Sequence, residues 1–177
     1  YNTLVKQGKV RAIGASNFKA ERLAKSLEVS AKYGYPVYQT LQPMYNMYDR
    51  AEYEKELEPF CLKNGIGVIC FYGLAKGFLT GKYRTKEDTT KGAHGNRIVT
   101  NYMNERGMRI LAALDEVAKQ HKSNPARVAL AWLMARPSIT APIASATNLT
   151  QMEDLIKSVE LKLDSASIEK LNTASKY

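Results

Sequence analysis

Cysteine is scarce, histidine equally so, and no stretch of the sequence is both long and apolar. The two cysteines, Cys61 and Cys70, lack CxxC spacing and have no histidine near them in sequence, which argues against a zinc site. They are expected to be buried thiols in a reducing compartment, and no metal ligands are expected. The longest apolar runs, such as 128–134, are far too short to cross a bilayer. No succession of charged, apolar and small residues of the secretory kind opens the chain. These features set a cytoplasmic protein with no membrane partner as the expectation. Glycine, proline and charged residues are present at ordinary levels, which argues against disorder as the main state.

What is present is enough for one globular domain, taken as 1–177: 177 residues, 45% of them hydrophobic. The net charge is +9, which could serve nucleic acid, an anionic membrane surface or a phosphorylated small molecule. Lys6, Lys9, Arg11, Lys19, Arg22 and Lys25 are scattered, however, and no dense basic tract is interleaved with aromatics. A solvated surface with one anion-binding pocket explains the charge better than a nucleic-acid face.

Four short, mostly apolar runs, 11–15, 37–41, 67–71 and 139–144, read as parallel strands. None shows a clean period of two, which suits strands covered on both faces. Helix signals follow each run. Asn17 is a plausible N-cap for a helix over 20–33 that Gly34 closes. Asp49 precedes a second helix over 50–63, with Gly65 as its stop. Residues 80–101 are polar, broken by Gly81, Gly92 and Gly95, and read as a long loop of the functional or mobile kind. A helix over 102–121 follows, then one from Asn124 and Pro125 to about 135. Asn148 and Gln151 resemble a capping box for a helix to Val159, and Asp164 or Ser165 caps a last helix to about 174. Alternating strands and helices give an α/β fold with a parallel sheet, in number half of an eight-unit barrel or a small open sheet.

In a barrel, chemistry gathers where strands end, with phosphate sites favoured after the last two. The first run ends in Ser16 and Asn17, which can hydrogen-bond a ligand amide, and the second in Gln42 beside Pro43. The third ends in Phe71, Tyr72, Gly73 and Leu74; an aromatic at that place can stack on a planar ring or simply plug the core. Lys82 follows Gly77 and Gly81 and can bring an ammonium to a phosphate. The fourth enters a helix through Ser145, Ala146, Thr147 and Asn148, where free amides and the helix dipole favour an anion.

Four segments together, LVKQGKVRAIGASNF (4–18), LQPMYNMYDR (41–50), GIGVICFYGLAKGFLTGKYR (65–84) and TAPIASATNLTQMEDL (140–155), resemble the aldo/keto reductase family in order and spacing, over nearly the whole chain. The resemblance implies the C-terminal half of a TIM (β/α)₈ barrel, four parallel strands alternating with helices. It implies an oxidoreductase moving hydride between a nicotinamide cofactor, NADP(H) or alternatively NAD(H), and a small carbonyl substrate, an aldehyde or ketone. Ser16, Asn17 and Gln42 would hold the carboxamide, and Phe71 would stack on the ring. Tyr72, Gly73, Leu74 and Lys82 would line the pyrophosphate, while Ser145, Thr147, Gln151 and Asp154 would surround the adenosine ribose and its 2′-phosphate. Three departures stand out: Tyr72-Gly73 replaces the usual Ser-Pro, Thr147 stands where many relatives are basic, and Leu155 replaces an asparagine that contacts adenine.

In the family the tyrosine acid and its lysine, aspartate and histidine helpers precede the first segment matched here. The resemblance therefore assigns no catalytic residue to this chain and implies that it is inactive alone. His94 and His121 do not sit in matching contexts. The alternative is a non-catalytic NADP(H)-binding half-barrel that pairs with another subunit. Half a barrel would also expose two sheet edges and an apolar interior, so self-association is expected.

Overall fold

The protein is described by a computed structural model covering residues 1–90 and 95–177, without the side chain of Lys86. His94, assigned to the long loop, lies outside the described residues, as do Lys91 and Gly92. The elements run α1 (Asn2–Lys6), β1 (Ile13–Ser16), α2 (Ala20–Tyr33), β2 (Tyr38–Gln42), a π-turn (Tyr53–Leu57) leading into α3 (Glu58–Asn64), and β3 (Gly67–Cys70). Two 3-10 segments (Ala75–Thr80 and Lys86–Thr90) precede α4 (Gly95–Tyr102), α5 (Glu105–Gln120) and α6 (Pro125–Met134), then β4 (Ala141–Pro142), α7 (Leu149–Glu160) and α8 (Ser165–Ala174). The strands form one parallel sheet in the order β1-β2-β3-β4, as successive strand–helix units require.

Local signals place most helices. Gly34 ends α2 in the left-handed region at φ 63°. Asn124, Asn148 and Asp164 each accept a backbone N–H three residues on, from Arg127, Gln151 and Ser167, and so open α6, α7 and α8. Three expectations change. Asn17 is not the cap of α2: it sits left-handed at φ 57°, and the helix starts after Lys19. Asp49 spends its carboxylate on the Asn46 amide and the Tyr102 hydroxyl instead of capping a helix. The helix expected over 102–121 is α5, which starts a few residues later because Asn104 turns the chain and caps it through the Gly107 N–H. The stretch read as a long loop accordingly carries a 3-10 segment and α4.

β4 is shorter than the run 139–144 because it pairs on one side only, with β3. Pro142, which has no N–H to donate, suits that edge. Thr140 N–H to Val68 O (2.9 Å) and Ile143 N–H to Cys70 O (2.7 Å) extend the ladder beyond it.

The sheet has unequal faces. Ala15, Leu41, Val68 and Cys70 turn into the helix layer and are buried there. The cluster they join is centred on α6, in which the six consecutive residues from Val128 to Leu133 are all buried. The opposite face carries three level rows, Gly14–Thr40–Gly67, Ser16–Gln42–Ile69–Ala141 and, at the carboxyl ends, Met44–Phe71–Ile143. An added Cβ on Gly14 would stand 2.2 Å from the Thr40 hydroxyl, so that row closes only because Gly14 is glycine. The open face is thus small and polar over two rows and apolar at the carboxyl ends, where Met44, Phe71 and Ile143 stand beyond Ile69. Strands covered on both faces are not found: glycines and hydroxyls on the open side hide the alternation from a hydropathy reading.

Behind the sheet lies a polar hub. Glu54 accepts hydrogen bonds from Arg50 Nε (2.8 Å) and the Tyr45 hydroxyl (2.6 Å), and Arg136 Nη2 stands 3.5 Å away. Both guanidinium groups lie over Trp132, at 5.0 and 5.5 Å from the ring. Trp132 in turn donates to Asn172 of α8. The same hub continues through Arg136 and the Ser138 hydroxyl to Glu58. Cys61 and Cys70 are free and buried, and burial pushes both thiols up to about 11.

Burial alone would raise the Glu54 carboxyl, but hydrogen bonds from Arg50 and Tyr45, with the two guanidinium charges, hold it below its ordinary value. A carboxyl lowered in the fold adds stability that is complete above its unfolded value and disappears as pH falls through the folded one. Stability should therefore decline once pH drops below about 4.5. Glu54→Gln should cost about 3 kcal/mol at neutral pH, because Arg50 is left buried and uncompensated. It should also flatten the acid limb; urea melts at neutral and acid pH read both effects.

Candidate functional site

The carboxyl ends of β1, β2 and β3 are stitched together by backbone bonds. The Gln42 carbonyl accepts the Ser16 hydroxyl (3.1 Å) and the Asn17 N–H (3.2 Å). One residue on, the Pro43 carbonyl accepts the Phe71 N–H (3.0 Å), and the Phe71 carbonyl accepts that of Tyr45 (3.3 Å). Ser16, Asn17, Gln42 and Phe71 thus form one continuous rim. With its proton given to Gln42, the Ser16 hydroxyl keeps lone pairs for an incoming donor. Phe71 is half-buried and meets Tyr72 edge-on, with ring centroids 5.1 Å apart.

Beyond Phe71 the chain turns left-handed repeatedly. Tyr72 (φ 56°), Ala75 (φ 48°), Lys76 (φ 57°), Gly77 (φ 96°) and Gly81 (φ 78°) all have positive φ. For three non-glycine residues this is a strained conformation, held by surrounding contacts and concentrated where function is common. Successive turns of this kind curl the backbone into a concave path whose amides can face an anion. Lys82 follows that path back: a Cβ on Gly77 would lie 3.6 Å from its Nζ, an ordinary contact that places the ammonium beside the turn. Lys82 Nζ also lies 5.1 Å from the Tyr83 ring centroid. Gly73 and Leu74 face inward: a Cβ on Gly73 would approach Leu133 of α6 to 2.8 Å, and the Leu74 carbonyl accepts the N–H groups of Gly77 and Leu79. Their contribution to any ligand is through backbone.

At the end of β4, Ser145 and Thr147 are exposed. Thr147 donates both its N–H (2.8 Å) and its hydroxyl (3.0 Å) to the Gln151 side-chain carbonyl. The capping box read from Asn148 and Gln151 therefore closes one residue earlier, on Thr147. Asp154 is turned the other way: its carboxylate accepts from Asn124 (2.9 Å) and Arg127 (2.6 Å) on α6. Ser145, Thr147 and Gln151 remain together at the mouth of α7, while Asp154 is committed to the helix layer.

Asn46, which sequence reasoning passed over as one letter of a longer pattern, holds the two loops together. It is wholly buried, donates to the Tyr72 carbonyl (3.1 Å) and to Asp49 (2.9 Å), and accepts the N–H groups of Tyr48 and Asp49. Asp49 also accepts the Tyr102 hydroxyl (3.0 Å), anchoring α4; burial and the Asp49 charge both raise that phenol. The only local hint was an asparagine beside a tyrosine near a strand end. His121 lies elsewhere, with Nε2 2.9 Å from the Ser167 hydroxyl at the start of α8. Among the described residues no group of three or more metal-ligating side chains occurs, and no helix is long and apolar enough to cross a membrane.

The residues present fit a dinucleotide on structural grounds: an amide-binding rim, a half-buried aromatic beside it, and a left-handed backbone path with an ammonium at its end. Asn46→Ala would orphan the buried amides of Tyr48 and Asp49 and the Tyr72 carbonyl. It should cost about 2 kcal/mol and release Tyr72 from its left-handed state, read as faster amide exchange around residues 72–77.

The description "Aldo/keto reductase family" matches residues 2–176. An uncharacterized oxidoreductase of Bacillus subtilis, YrpG, is 32% identical over 172 residues, covering 97% of this chain and 51% of the relative. An L-glyceraldehyde 3-phosphate reductase of Escherichia coli O157:H7 is 30% identical over 88% of this chain and 46% of its own length. An aldo-keto reductase of Schizosaccharomyces pombe named for NADP(+), yakc, is 26% identical over 96% of this chain and 49% of its own. The chain spans about half the length of the curated relatives it matches. Its four parallel strands alternating with helices are a partial version of the family's barrel, and the chain belongs to the aldo/keto reductase family.

Proposed function

We propose that this chain is the cofactor-binding half of an oxidoreductase that moves hydride between NADP(H) or NAD(H) and an aldehyde or ketone, in a cytoplasmic setting. The observation that carries the reading is the stitched rim of Ser16, Asn17, Gln42 and Phe71, continuous with the left-handed path to Lys82. A nicotinamide bound there supplies the hydride. Ser16, Asn17 and Gln42 fix the face of the ring by holding its carboxamide, and Phe71 backs it and excludes water. The backbone from Tyr72 to Leu74, with Lys82, neutralises the pyrophosphate. A relative named as a reductase of a small aldehyde supports the carbonyl class of substrate.

The adenosine end differs in chemistry from the rest. Thr147 and Gln151 satisfy one another, Asp154 is neutralised by Arg127, and Leu155 offers no hydrogen bond. No cation from this segment meets a 2′-phosphate, so the chain discriminates weakly between NADPH and NADH. None of the matched motifs supplies a proton donor to the carbonyl oxygen, so the chain alone gives no turnover.

Fluorescence titration of the chain with NADPH and NADH tests binding, and absorbance at the reduced nicotinamide band with a generic aldehyde tests turnover. Phe71→Ala should weaken either cofactor by about tenfold, near the upper worth of one aromatic stack. Thr147→Arg should raise the preference for NADPH by about tenfold while leaving NADH binding unchanged. Equal affinities of the native chain and Phe71→Ala would remove the ring from this place, and turnover by the chain alone would show that it carries its own acid.

A further inference from the structure

Lys76 is half-buried, and its backbone is left-handed at φ 57°, a conformation that lysine adopts only at a cost. Among the described residues no carboxylate pairs with it. Its ammonium instead lies over the Tyr72 ring, with Nζ 5.1 Å from the centroid. Tyr72 is left-handed as well, and its ring meets that of Phe71 edge-on at 5.1 Å. Because Tyr72 is 48% exposed, the Phe71 ring and the Lys76 ammonium are the contacts that hold its side chain. Two short steps thus separate a positive charge from the ring proposed to back the nicotinamide.

The two lysines of this loop serve opposite ends of it. Lys82 returns to Gly77, at the far end of the left-handed path, whereas Lys76 folds back over Tyr72, at its start. The first position suits the phosphates of a dinucleotide and the second its ring. That difference has a chemical consequence. A nicotinamide ring carries one positive charge when oxidised and none when reduced, while its ribose and phosphates are the same in both forms. A cation on the phosphates therefore changes both affinities together, and a cation beside the ring changes them apart. Near a protein surface, two like charges about 10 Å apart repel enough to shift a binding constant by about fivefold. Phe71 alone works the other way, because a cationic ring gains from an aromatic face.

We infer that Lys76, held on the Tyr72 ring, is a specificity-determining residue that disfavours the oxidised cofactor relative to the reduced one. It offsets the pull of Phe71 on the oxidised ring and lets the hydride-bearing form stay bound while the spent form leaves. This rests on the cofactor reading above and adds to it the redox state that the site retains.

Calorimetric titration of the full chain with NADP+ and with NADPH provides the test. Lys76→Gln should tighten NADP+ relative to NADPH by about fivefold, and Lys76→Arg should keep the native ratio. Lys76→Gly removes the same charge and suits φ 57°, so it should reproduce the glutamine ratio even if that variant folds poorly. Added salt should move the native ratio toward that of the two neutral variants. NAD+ and NADH should show the same change, because the 2′-phosphate takes no part in it. A ratio that stays constant in Lys76→Gln and Lys76→Gly would overturn the inference. Affinities for both forms that fall together would do so as well, by putting the ammonium on the pyrophosphate. A native chain that binds neither form sinks the cofactor reading, and this inference with it. Binding of both forms with an unmoved ratio sinks this inference alone.

Discussion

A single carboxylate, that of Glu54, sits where four parts of the fold meet. It draws in Arg50 from the chain beyond β2, Arg136 from the end of α6 and the Tyr45 hydroxyl from the strand exit. The Trp132 ring lies beneath both guanidinium groups and reaches α8 through Asn172. A buried ion pair of this sort contributes little net stability over an apolar replacement, but it tolerates no partial dismantling. Its value lies in register. The segment from Gln42 to Arg50 has no regular structure of its own, yet it must deliver Gln42, Pro43 and Asn46 to the rim at fixed heights. With its far end held at Arg50, that segment is fixed at both ends.

From there the order of dependence runs outward. Asn46 takes its position from this anchored segment and passes it on to the Tyr72 carbonyl. The left-handed path follows from Tyr72, and Lys82 closes back on Gly77 only because that path curls. The chemistry of the rim therefore rests on contacts in the helix layer rather than on the open side, where a ligand would lie.

The parts legible in the sequence were those whose causes are local. Caps at Asn124, Asn148 and Asp164 and the glycine stop at Gly34 specify helix ends within a few residues, and the structure keeps all four. The parallel sheet order was legible because strand–helix alternation leaves little choice of topology. What escaped were pairings set across the fold. Asp154 meets Arg127 on a different helix, so its commitment could not be read from the motif that contains it. α4 lay hidden in the stretch read as a loop, because it is anchored where the Tyr102 hydroxyl meets Asp49, more than fifty positions earlier in the chain. The two small rows of the open face escaped for a different reason. Hydropathy treats glycine and threonine as neutral, whereas geometry made them a floor closed to larger residues at Gly14.

The wrong-handed stretch from Tyr72 to Gly81 has a kinetic side as well. A loop that must find such a conformation on meeting its ligand would pass most encounters unproductively, and its association would be gated by the rare competent form. Here Asn46 and the backbone bonds of Leu74 set that form during folding. The conformational search is completed before any ligand arrives, so its cost falls on folding and not on the encounter.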